Sequence, residues 1–152
     1  MIAAALVTAG LGFSAAAADP PKKMDEHWTA PARAARKENP VPAEAKSIAK
    51  GKELFVMACL PCHGDTGKGD GPAAGTLERN GVPIRPGNLS DPKMREHTDG
   101  ALFWKISEGN SPMPTFQEAL SEEQRWQIVN YVRTLAMPVA NTNQETKRGG
   151  KK

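Results

Sequence analysis

Cysteine is almost absent from this chain. Two residues in 152 are cysteine, and both sit in one pentapeptide. That scarcity excludes the disulfide framework on which many small exported folds rely. Histidine occurs three times, at His27, His63 and His97, so a zinc site of about four ligands has little to draw on. Aromatic residues make up 5% of the chain, and a domain of this length with so few of them builds only a limited core by itself. No basic stripe with interleaved aromatics occurs, which removes the reading of the formal charge of +3 as a nucleic-acid surface. Beyond residue 18 no apolar run is long enough to cross a bilayer.

The pentapeptide is Cys59-Leu60-Pro61-Cys62-His63. C-x-x-C-H is the attachment signature of c-type haem. Two thiols three residues apart lie within about one helical turn, so both can reach one edge of a flat macrocycle and form thioethers with its vinyl groups. The histidine that follows is then held under the ring as an iron ligand. Three other readings compete. A thioredoxin-type pair should follow a strand, and no strand-like alternation precedes Cys59. A zinc site lacks further ligands at suitable spacing. A disulfide across two residues closes too small a loop to stabilise much.

Residues 1–18 read as an export signal. Ile2 to Val7 and Leu11 to Phe13 are apolar, and Ala16-Ala17-Ala18 fits an A-x-A cleavage site, although no basic stretch precedes them. The mature chain is expected to begin at Asp19, outside the bacterial cytoplasm and most simply in the periplasm. With both thiols used by haem, no cysteine remains there for a lipid anchor, and no membrane span remains after cleavage. Residues 19–47 form a leader rich in Pro, Ala and charge. Pro20, Pro21, Pro31, Pro40 and Pro42 break any long helix. The leader is expected to be unstructured, with one alternative: a strap that packs Trp28 on the domain or on a partner. A short helical turn fits Ala32 to Lys37.

Residues 48–138 form the domain. Its ten Lys and Arg against eleven Asp and Glu within 49–138 leave it near neutral. Ile48, Gly51, Phe55 and Cys59 recur at helical spacing, with Ser47 as a cap. Asp65 to Gly75 is a Gly-rich loop without the P-loop order. Asn80 to Pro92 is expected to be irregular because of Pro83, Pro86 and Pro92. A helix over Asp99–Glu108, capped by Asp99 and closed by Gly109, comes next. Another starts at Ser121, where Ser121-Glu122-Glu123-Gln124 makes a capping box, and Pro138 stops it. Residues 139–152 are a basic tail, expected to be disordered, in which Lys147, Arg148, Lys151 and Lys152 face only Glu145.

The second iron ligand decides between electron transfer and ligand chemistry. Met113 is the candidate, because Pro112 and Pro114 stiffen its loop and lower the entropic cost of holding a weak ligand. Met94 and His97 are the alternatives. Met57 lies on the proximal side, Met24 in the leader, and Met137 at the end of the last helix.

At this point the chain resembles a small single-haem cytochrome c of the class I type. The resemblance rests on Gly51 to Cys59, on Pro112-Met113-Pro114 with Phe116, and on the helix Trp126 to Leu135, and covers roughly 48 to 137. It implies an all-α fold of about three to five helices wrapped around one covalent haem c. It also implies that Gly51 and Phe55 meet Ile128 and Tyr131 where the first and last helices cross, and that the Pro72 carbonyl accepts the His63 Nδ1 proton. Pro86, Asn88 and Leu89 are expected to line the pocket, and Arg85 and Trp104 to contact the haem propionates. The function implied is one-electron transfer rather than catalysis, by way of the thioether edge. The partners are a redox-protein donor and acceptor, including a membrane-bound respiratory or photosynthetic complex. Either a free carrier or a haem subunit fits, and the leader favours the subunit. A haem enzyme or gas sensor with a displaceable distal ligand is the alternative, with His97 as the acid-base group.

Overall fold

The computed structural model describes residues 22–23 and 28–136. The signal segment, the basic tail, His27, Met24, Met137 and Pro138 lie outside them. Five α-helices occur among the described residues: α1 (Ala32–Ala35), α2 (Ala45–Ala58), α3 (Leu60–His63), α4 (Asp99–Glu108) and α5 (Glu122–Leu135). The expected all-α fold is what forms, with a small amount of sheet added.

The core is the crossing of α2 and α5. Gly51, Leu54 and Phe55 make the buried face of α2. Ile128, Val129, Tyr131 and Val132 answer from α5. A Cβ on Gly51 would run into the Gln127 carbonyl oxygen and stand 3.0 Å from Tyr131 Cβ, so only glycine lets the two backbones approach this closely. Phe55 meets Tyr131 edge to face, with ring centroids 5.2 Å apart. Helix α4 joins through Phe103, stacked on Trp126 at 4.0 Å. The helix ends follow capping chemistry. Ser121 and Gln124 complete the capping box of α5. Helix α4 is capped by Thr98, whose hydroxyl accepts from Ala101 N, and not by Asp99. Asp99 instead takes the first helical position and accepts from Arg133 Nε at 2.7 Å. Helix α2 begins three residues earlier than expected, with Glu44 as its cap, which puts Ser47 inside the first turn.

The proline-rich stretch holds regular structure after all. Strands β2 (Glu78–Arg79) and β3 (Val82–Arg85) pair antiparallel, Glu78 with Pro83 and Arg79 with Val82. Asn80 (φ 53°) and Gly81 (φ 75°) turn between them, both left-handed as a two-residue hairpin turn of type I′ requires. Strand β1 (Lys22–Lys23) adds to β3 in parallel. Pro92 then opens a short 3-10 turn, Pro92–Glu96.

The leader is not unstructured over residues 28–44. It runs along the domain as a strap. Helix α1 packs on α4, and Thr98 Oγ1 donates to Ala35 O at 2.6 Å. Lys37 Nζ reaches Glu122 at 2.7 Å and stands 4.7 Å from the Phe103 ring centroid. Asn130, 4% exposed, is the main latch. Its Oδ1 accepts from Asn39 Nδ2, and its Nδ2 donates to Val41 O at 3.0 Å and to Ser47 Oγ at 2.7 Å. At the start of the strap Trp28 lies on Trp104, with centroids 6.1 Å apart. Among the described residues no helix is long and apolar enough to cross a membrane.

Candidate haem site

Helix α2 runs into α3 without a connecting loop. Cys59 ends the first and caps the second; its N–H donates to Phe55 O at 2.8 Å and its carbonyl accepts from His63 N at 2.9 Å. The motif is thus helical over one turn, and Cys59, Cys62 and His63 come to one side. The Gly-rich loop folds back on it. Gly69 N donates to His63 O at 2.8 Å, Gly71 N to Cys62 O at 3.2 Å and Ala73 N to Pro61 O at 2.8 Å. These bonds explain the glycines: the loop is a brace for the motif backbone.

Two adjoining hollows meet at Cys59, His63 and Met113. The wide one has a volume of about 410 Å³ and is walled by Phe55, Leu102, Ile106, Ile128 and Val132. The narrow one, about 30 Å³, is lined by Cys62, Pro86, Pro112 and Phe116. The wide hollow falls in the size range of cofactor sites, and its walls are mostly apolar. The donor set fits a haem: two thiols on one turn, an imidazole and a thioether open on the same space.

The electrostatics separate this reading from its competitors. Burial, and then the neighbouring Cys62, push the Cys59 thiol up to about 12. A redox-active cysteine needs the opposite, a thiol poised to ionise. No group of three His, Cys, Asp or Glu side chains that could hold a metal ion occurs among the described residues, which leaves the zinc reading without ligands. Burial also lowers the His63 pKa, against the opposing pull of its hydrogen bond to Gly87. A neutral imidazole that donates from Nδ1 leaves the Nε2 lone pair for iron.

That hydrogen bond corrects one expectation. His63 Nδ1 lies 3.1 Å from the carbonyl oxygen of Gly87, and Pro72 is not its partner. The Gly71–Ala73 backbone is engaged with Cys62 and Pro61 instead. The brace loop in turn holds the segment after β3, through Leu89 N to Gly67 O at 2.6 Å and the close approach of Gly69 to Pro86 O. This brings Gly87 to the imidazole.

Met113 lines both hollows. Its loop is fastened from three directions. Asn110 and Met113 exchange backbone bonds of 2.9 and 3.0 Å, Phe116 N donates to Ile106 O, and Arg79 Nε donates to Ser111 O at 2.7 Å. Met94 and His97 line the wide hollow as well. Met57 is 70% exposed and faces away from any ligand role.

Other expected pocket residues divide. Leu89 lines the wide hollow and Pro86 the narrow one. Asn88 is exposed and spends its Oδ1 on Ser90 N and Ser90 Oγ, so it shapes a turn instead of the pocket. Arg85 is exposed on β3 and lines neither hollow. Trp104 also stays outside; it supports Trp28, and Trp28 forms the wall. Gly87 and Trp28, with Lys105, whose side chain also lines the wide hollow, are the site residues that sequence reasoning missed in these roles. A carbonyl partner leaves no mark in a sequence, and Lys105 has no motif around it.

Nine chains of solved structures match this one. One belongs to the reducing HAO-like protein complex of Kuenenia stuttgartiensis, with 30% identity and a TM-score of 0.58 over 64% of this chain and 47% of that chain. The present chain thus spans less than half the length of that neighbour. No curated protein matches. The Cytochrome c family model matches residues 48–136. That range runs from the first turn of α2 to the cap of α5 and holds Cys59, Cys62, His63 and Met113, and the chain belongs to the cytochrome c family, whose members carry haem c covalently.

Proposed function

We propose that the protein binds one haem c through thioethers at Cys59 and Cys62, ligates its iron with His63 and Met113, and passes single electrons between redox proteins in the periplasm. The observation that carries this reading is the convergence of both thiols, one imidazole and one methionine sulfur where the two adjoining apolar hollows meet. Held by His63 and Met113, haem iron would supply one-electron chemistry between its ferrous and ferric states.

The protein's part is to hold and to shield. The Gly87 carbonyl orients the His63 ring, and the fastened loop keeps the Met113 sulfur in reach. Phe55, Ile128 and Val132 exclude water, and thioether ligation favours the ferrous state, so the potential is high. The narrow hollow by Cys62, Pro112 and Phe116 is the route by which electrons leave, toward a partner docked over a small interface.

Two modes of work fit, a free carrier and a haem subunit of a larger assembly. The matching Kuenenia stuttgartiensis chain is part of a protein complex, which supports the subunit. The strap does not add to that support over residues 28–44, because it clasps its own domain. The export reading rests on Ala16-Ala17-Ala18, and long-range attraction to an acidic partner on Lys147 to Lys152; both lie outside the described residues.

The test is expression of the full chain in a host with haem-ligation machinery. A red protein with one haem per chain by mass and by pyridine haemochrome assay is expected, and a colourless one defeats the reading. Met113→Ala should lose the weak red absorption band of methionine-ligated ferric haem and lower the potential. An unchanged spectrum moves the ligand to Met94 or His97, which line the same cavity. Rapid carbon monoxide binding by the reduced native protein would instead favour a displaceable ligand and a sensor or enzyme role.

A further inference from the structure

Two nitrogen-bearing side chains, Lys105 and His97, open on the wide hollow, and neither meets a carboxylate among the described residues. Lys105, half-buried on α4, has no carboxylate and no hydrogen-bond acceptor among the described residues. Its Nζ stands 5.4 Å from the Trp28 ring centroid, and burial pulls its pKa down. His97, half-buried after the Pro92–Glu96 turn, likewise makes no side-chain hydrogen bond there. Its backbone is pinned instead, since Arg133 Nη2 donates to His97 O at 2.5 Å. Burial, Lys105 and Arg133 all lower the His97 pKa, and only Glu96 opposes them. Among the described residues Glu96 is the sole carboxylate on the cavity rim, and it is exposed.

A cation such as Lys105 beside an apolar space is costly unless an anion completes it, and a neutral imidazole such as His97 can donate a hydrogen bond to the same anion. A haem carries two such anions. Its propionates leave the macrocycle from the edge opposite the vinyl arms that form thioethers. In this fold Cys62 lines only the narrow hollow, while Lys105 and His97 line only the wide one. We infer that Lys105 and His97, closed over by Trp28, form the seat for the haem propionates, in place of Arg85 and Trp104. This rests on the haem reading above. The seat uses a wall that the family match does not cover, because Trp28 precedes residue 48.

The charges then couple to iron. The groups that face His97 are Lys105 from α4, Arg133 from α5 and Glu96 beside it. A cation near the propionates favours the ferrous state, so losing it lowers the potential. The experiment is spectroelectrochemistry of the haem-loaded protein at one fixed pH. Lys105→Gln should cut the ferrous-to-ferric ratio at fixed poise about three- to tenfold, where tenfold is about 59 mV for one electron. Lys105→Arg should restore it. His97→Ala should shift the ratio in the same direction with the iron-ligand absorption bands unchanged, and His97→Gln, which keeps a hydrogen-bond donor, should shift it less. Variants that keep haem, spectrum and potential overturn the seat and leave the haem reading intact. Native protein without colour overturns both.

Discussion

The carbonyl oxygen of Gly87 stands 3.1 Å from Nδ1 of His63, and the missing side chain of Gly69 is what leaves room for the 86–87 peptide there. A Cβ on Gly69, at φ +78°, would come within 2.5 Å of Pro86 O. Gly69→Ala should therefore displace the 86–87 peptide and loosen the imidazole. Strain of this kind costs on the order of 1–3 kcal/mol. Guanidinium unfolding of the holoprotein checks the stability. Faster exchange of the His63 Nδ1 proton by NMR distinguishes a loosened ring from a general loss. A native exchange rate would separate Gly69 from the ring.

Gly51→Ala attacks the crossing of α2 and α5. The added methyl meets the Gln127 backbone, which cannot swing aside as a flexible side chain would. Overpacking at a tight contact costs about 1–3 kcal/mol and occasionally more, and this site belongs at the upper end. The chemical-denaturation midpoint should fall with little change in the ferric spectrum, because the haem ligands lie elsewhere.

Asn130→Ala should release the strap. The change leaves Asn39 Nδ2 and Ser47 Oγ without their partner and removes a donor to Val41 O. Orphaned polar groups of this kind cost about 1–3 kcal/mol each when they stay buried, and less here because the strap can lift into water. Limited proteolysis should cut between residues 28 and 44 in the variant well before the native protein. Equal cleavage rates would show that the strap is held elsewhere.

Acid should loosen the same strap. The hydrogen bond from Lys37, and then its charge, lower the Glu122 pKa. A carboxylate with a depressed pKa in the folded state contributes stability above its unfolded value, about 4.3, and loses it as pH falls through the folded value. Hydrogen exchange at residues 32–37 should rise below about pH 4. Glu122→Gln should bring part of that rise to neutral pH. The effect is small, since the pair is exposed to solvent.

Sequence patterns carried the parts of this fold that depend on neighbours a few residues apart. The C-x-x-C-H turn, the Ser121–Gln124 box and the closing Gly109 are all local, and each stands where expected. The Thr98–Asp99 pair shows the limit, because both residues cap helices and only the contact of Asp99 with Arg133 decides between them. The β2–β3 hairpin was legible in Asn80-Gly81, a strong turn signal, but the three prolines around it argued louder. The strap has no periodicity to read. It is held by partners about ninety positions away, such as Asn39 on Asn130, and nothing local reports such a pair. The partner of His63 is hidden for a different reason, since any residue can offer a carbonyl.

Cys59 sits at the junction of α2 and α3 with its thiol sunk among apolar walls and reluctant to ionise. The same residue closes one helix and caps the next, so a movement of α2 would pass directly to the point where the cofactor is attached.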